Sequence, residues 1–237
     1  MEIDKLAYTP AMLARLAYSH AAYELSERLV SEAGTSSDGY GRGAFLTEEA
    51  LATFSEVEGL LEAAVVADRT RGASWQAVAE ALDVSAERAR ERFAQHEREF
   101  REAVLFPHRY LENGALGYTV APYAVEEPDW VRERLDGWVV KHRRSSAPDR
   151  DETQPVTRGL AAMSTSWIAE RIGQVLELSD ALIKRELPAG VTYDQAELRH
   201  AQLKVELYEA MVAQRPGQRD VELQLIDARE RLSALTA

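Results

Sequence analysis

The side chains best spaced to do chemistry lie in one run, GASWQAVAEALDVSAERARERF, at residues 72–93. Its second half sets Glu87, Arg88, Arg90, Glu91 and Arg92 close together. These are donors and acceptors suited to contacting a charged partner rather than to breaking a bond. Two short helices must hold them. Ser74 can cap the first, in which Trp75, Val78, Ala79 and Leu82 fall on one face and point to one core. Asp83 and Val84 make a turn, and Ser85 can cap the second, in which Ala89, Phe93, His96 and Phe100 step by four, three and four. Helices joined by so short a turn cross steeply, and the small residues Ala79 and Ala89 let the backbones approach. Asp83 tolerates the positive φ that such a turn often needs. A wheel centred on Ala89 points Glu87 and Glu91 most directly outward, with Arg88 and Arg92 on one flank and Arg90 on the other.

This pattern, G-A-S-W-x-x-V-A-x-A-L-x-V-S followed by R-x-R-F, resembles the helix-turn-helix of many actinobacterial DNA-binding proteins and, more loosely, the promoter-reading region of sigma factors. The resemblance covers about 25 of the 237 residues and implies a helix-turn-helix at 74–94. In such proteins the second helix lies in the major groove and its first turns touch base edges. Carried over by position, Ala86, Glu87, Arg88, Glu91 and Arg92 face DNA, Ser74 and Gln76 lie near phosphates, and Ser85 and Arg90 complete the contact region.

Composition sets the bounds. The chain is long enough to bury a core without staples, and the absence of cysteine excludes disulfides, thiolate zinc sites and a cysteine nucleophile. The five histidines form no pair spaced to place two imidazoles on one helix face, so no metal is expected. Gly39, Gly41 and Gly43 do not follow a strand as a phosphate-binding loop requires. No Ser/His/Asp constellation or paired carboxylates stand at a telling spacing, and neither enzyme activity nor a cofactor is expected. The start, Met1 to Asp4, is acidic where a signal peptide is basic, and no apolar run approaches a membrane span, so the expected location is cytoplasmic. The net charge of −12 opposes loose binding to nucleic acid, but it is unevenly spread: 6 basic and 12 acidic side chains in residues 1–71, 5 and 6 in 72–101, 17 and 22 in 102–237.

The expected fold is all-α, a helix-turn-helix region plus a C-terminal helical bundle. Residues 10–31 read as an amphipathic helix, 35–43 as a loop, and Thr47 as the N-cap of a helix running to Arg71. The Pro, Gly and Tyr of residues 106–128 mark a connector between domains at 1–105 and 129–237, with GYTVAPYAV (117–125) as an extended segment lacking a partner run. A helix from Asp129 ends in the basic cluster Lys141 to Arg144, which suits a helix C-terminus, and a polar linker occupies 145–156. Trp75, Trp130, Trp138 and Trp167 sit at core spacing. Three seams close the chain: Ile168, Ile172, Val175, Ser179, Leu182; then Leu198, Ala201, Val205, Tyr208, Val212; then Val221, Leu225, Ala228, Leu232, Leu235. Such seams form a bundle and can also supply a homodimer interface. The expected function is a dimeric DNA-binding transcriptional regulator with duplex DNA as partner and no membrane contact. The alternative is a non-enzymatic acidic adaptor that binds protein.

Overall fold

A computed structural model describes residues 8–34, 43–106, 108–110, 116–118, 122–144, 146–147, 149–163 and 167–236. The fold is all-α. The helices are α1 (Pro10–Ala33), α2 (Phe45–Thr70), α3 (Trp75–Leu82), α4 (Ala86–Leu105), α5 (Tyr123–Glu126), α6 (Pro128–His142), α7 (Pro155–Met163), α8 (Trp167–Lys184), α9 (Tyr193–Gln214) and α10 (Arg219–Thr236). No helix among the described residues is long and apolar enough to cross a membrane.

Between α4 and α5, β1 (His108–Tyr110) pairs antiparallel with β2 (Leu116–Tyr118), His108 opposite Tyr118 and Tyr110 opposite Leu116. The extended segment expected at 117–125 therefore does have a partner, and its last residues are helical. Strands of three residues are too short to show an alternating pattern. Thr47 is not the cap of α2: the helix opens two residues earlier with Ala44 at the N-cap, and the Thr47 N–H donates to the Ala44 carbonyl at 2.9 Å. The glycine loop at 35–43 lies outside the described residues except for Gly43.

The helices form two compact units. One holds α1, α2, α3, α4 as far as Phe100, α5, α6, and α7 as far as Ala161; the other holds the end of α4, the hairpin and α8 to α10. Residues 129–161 thus group with the N-terminal helices, where the sequence had joined them to the C-terminal ones. The reason is an aromatic seam between α1 and α6 that no local pattern shows. Tyr23 meets Trp138 edge-on at 5.6 Å, its hydroxyl accepts from Arg134, and Trp138 Nε1 donates to Glu27 at 2.9 Å. Met12 and Leu16 of α1, Ala124 of α5, and Val131 and Leu135 of α6 are buried in this unit. The tryptophans are boundary residues rather than core: Trp130 is 47 % exposed and the other three are half-buried. Their rings cover apolar neighbours while their edges reach polar partners.

Charge is buried where α6 meets α7. The Asp136 carboxylate accepts from the N–H groups of Val156 and Thr157 at 2.7 and 3.2 Å, and Arg132 donates to the Thr157 hydroxyl at 2.8 Å. One carboxylate thereby serves two backbone donors in the first turn of α7. In the basic cluster, Arg143 donates to the Asp149 carbonyl and His142 stacks on Trp138 at 4.7 Å, so both hold local structure.

In the second unit α9 packs against both α8 and α10. Val175, Leu178 and Leu182 of α8 meet Ala196, Leu203 and Leu207 of α9, with Leu105 and Phe106 joining them. The α10 seam is as expected, with Leu225 and Ala228 buried. The α8 and α9 seams are partly displaced: Ile172 is exposed, and of the five α9 positions only Ala201 is buried. A helix between two neighbours has two working faces, and its heptad reading averages them. Arg171 of α8 is buried against α9, with Glu206 at 2.9 Å and Gln174 Oε1 at 2.9 Å; burial pushes its pKa down while Glu206 opposes the shift.

Candidate nucleic-acid interface

The α3–turn–α4 unit is built from local rules. The Ser74 hydroxyl accepts from Ala77 N–H at 3.1 Å, and Ser85 Oγ accepts from Arg88 N–H at 3.2 Å, so both caps sit where the residue types place them. Asp83 takes the left-handed conformation, φ 54° and ψ 46°, and the Val84 N–H returns to the Ala79 carbonyl at 3.1 Å. Glycine would hold that backbone without a Cβ penalty; aspartate is among the few other residues that visit it.

Beneath the turn Val78, Ala79, Ala89 and Phe93 form a buried cluster with Val65 of α2, and Leu61, Trp75, Leu82 and Ala86 close its edges. Two ion pairs and a histidine–carboxylate contact hold α4 along α2: Arg92 with Glu58 at 3.3 Å, Arg69 with Glu97 at 3.3 Å, and His96 Nε2 with Glu62 at 3.4 Å. Arg69 also lies over the Trp75 ring at 4.5 Å. The sequence reading missed the share of α2 in this unit. The signal was present as Leu51, Phe54, Glu58, Leu61 and Val65, stepping by three, four, three and four.

The expected contact residues divide by this packing. Glu87, Arg88, Arg90 and Glu91 are exposed, and none has a side-chain partner among the described residues. Arg92 is engaged with Glu58 and lies 4.9 Å from the Phe93 ring centre. Ala86 is half-buried at the edge of the cluster rather than open to a partner. Ser74 and Ser85 are exposed caps, and Gln76 donates to Glu80 at 3.1 Å. The free outward set is therefore two cations and two anions on the first two turns of α4.

A second polar pair escaped the sequence reading. Ser179 Oγ and His200 Nε2 lie 2.7 Å apart across α8 and α9. Both residues sit in mid-helix, where backbone N–H groups are consumed by the helix, and Glu197 is bound by Arg231 at 3.0 Å. The pair is a bridge between helices. Burial lowers the His200 pKa, the Lys204 charge lowers it further, and Glu197 opposes both. A histidine whose folded pKa is depressed favours the folded state most above its unfolded value of about 6.5, and that contribution is lost as pH falls below it. His200→Gln should flatten the loss of stability between about pH 6.5 and pH 5, read by urea midpoints across that window; an unchanged slope would place the titrating group elsewhere.

No family model, curated protein or solved structure is significantly similar to the chain.

Proposed function

We propose that the chain is a transcriptional regulator that reads duplex DNA with α4, acting in the cytoplasm as a dimer. The observation that carries this reading is the pairing of a close Ala79–Ala89 crossing over Phe93 with Arg88 and Arg90 outward and unpaired on the first turns of α4. A groove-reading unit needs a rigid crossing, exposed donors at the start of its second helix, and little else. Arg88 can serve guanine bidentately and Glu91 can accept from cytosine N4. With few cations to neutralise phosphates, binding is weak on random DNA and its salt slope shallow.

The dimer reading draws support from α8. Ile172, Leu176 and Ile183 lie on its free face, with Ile183 82 % exposed, which is apolar surface that α9 does not use. A dimer carries two α4 helices, and paired half-sites one turn of DNA apart are read by two such helices. The second reading is an acidic adaptor, favoured by Glu87 and Glu91, which leave the outward set of α4 without net positive charge.

Selection from a random duplex library, with light scattering on the same sample, tests the proposal. An enriched palindrome with half-sites about 10 base pairs apart is expected from a dimer. Arg88→Ala should weaken binding to it by about 1–3 kcal/mol and leave the melting temperature unchanged. No enrichment from the folded protein would favour the adaptor.

A further inference from the structure

α2 is inverted along its first half. Toward α1 it presents Glu49, Thr53 and Glu56, all gathered on the Arg28 guanidinium at 3.1, 3.2 and 3.0 Å, with Glu32 on the same group at 2.9 Å. Away from that contact it presents hydrocarbon, Phe54 at 59 % and Leu51 at 68 % exposure, with Leu46 and Val57 exposed along the flank between the two faces. Charge lies inside the helical hairpin and large apolar side chains lie outside, the reverse of the usual arrangement.

The exposed residues continue a surface that is already used. In the seam Leu51, Phe54, Glu58, Leu61 and Val65, the last two pack with Val78, Ala79, Ala89 and Phe93, and Arg92 closes on Glu58. Beyond Glu58 the seam runs on bare. Heptad spacing is the spacing at which a second helix seats its own apolar residues.

The surrounding charge selects the occupant. Glu48 stands exposed one turn before Leu51 and Glu58 lies on the seam itself, while α2 carries no lysine or arginine before Arg69. Arg28, the cation facing α2 from α1, is held by Glu32, Glu49 and Glu56. A second copy would bring the same acidic helix against this one, and an anionic lipid surface would meet the same repulsion. We infer that the bare Leu51–Phe54 half of the α2 seam docks a basic amphipathic helix of another protein, whose apolar stripe continues the seam and whose flanking lysines or arginines meet Glu48 and the exposed edge of Glu58.

The test uses the intact chain and a fluorescent helical peptide of Leu/Lys heptads, titrated by anisotropy beside its Leu/Glu counterpart. The Leu/Lys peptide should bind, more weakly as salt rises, and at least about tenfold more tightly than Leu/Glu. The double variant Leu51→Ser, Phe54→Ser should lose at least about tenfold in affinity, while Leu223→Ser, which removes an exposed leucine from α10, should not. Circular dichroism monitors the fold of each variant, and the substituted side chains are already exposed. Equal binding of both peptides, or full retention by the α2 variant, would overturn the inference. So would a dimer in light scattering that the α2 variant dissociates, because the seam then belongs to a second copy.

Discussion

Phe93→Ala should lower the stability of the unit that contains it by about 3–5 kcal/mol. The ring is 1 % exposed, beside Ala89 at 1 %, and is the largest side chain of the cluster under the α3–α4 turn. The cluster has few members able to move in: Val65 and Val78 are β-branched and stiff, and the alanines cannot extend. The cavity should therefore stay open rather than collapse, which puts the cost toward the upper end of the range. Urea denaturation of the wild type and the variant at one pH measures it, with Arg88→Ala as the surface control. A loss below about 1 kcal/mol would mean that the crossing is held by the caps and by the ion pairs to α2 instead.

Asp136→Ala should cost about 3 kcal/mol, through unmade hydrogen bonds rather than lost volume. It strips acceptors from two N–H groups in the first turn of α7 and from the Thr157 hydroxyl, which itself accepts from Arg132. Buried donors left unpaired carry their full desolvation penalty. Asp136→Asn keeps one acceptor and should cost roughly half as much. Hydrogen exchange at the Val156 and Thr157 amides separates this from general destabilisation: both should exchange much faster in the alanine variant while the α8–α9 amides keep their protection. Unchanged exchange at the two amides would refute the capping role.

The parts of the fold that were legible in the sequence are those decided within about twenty residues. Ser74, Ser85, Ala79 and Ala89 each do their work by contact with residues a turn or two away, and the α10 seam faces a single neighbour. What the sequence hid depends on distance or on divided duty. Trp138 finds Glu27 and Tyr23 more than a hundred positions away, which moved residues 129–161 from one unit to the other. α9 has two neighbours, so its heptad pattern points to Val205 and Tyr208 while Leu203 and Leu207 are the residues buried. On α4, the outward directions of Glu87, Arg88, Arg90 and Glu91 follow from a wheel, but the capture of Arg92 by Glu58 does not, because nothing in the α4 sequence says that a glutamate on α2 stands opposite.

The buried Arg171 bears on which structures the chain refuses. Leu, Val and Ala along α8 and α9 would mesh almost as well if one helix slid by a turn, about 5.4 Å, since hydrocarbon is indifferent to its neighbour. A guanidinium is not. Slid by a turn, Arg171 would lose Glu206 of α9 and sit as an uncompensated buried cation, a penalty of several kcal/mol laid on every misaligned pairing and absent from the aligned one. Substituting Arg171 and Glu206 together by leucine-sized residues would leave the native pairing tight while removing the means of rejecting its near neighbours. The ion pair serves as an address, giving α8 and α9 one place to meet.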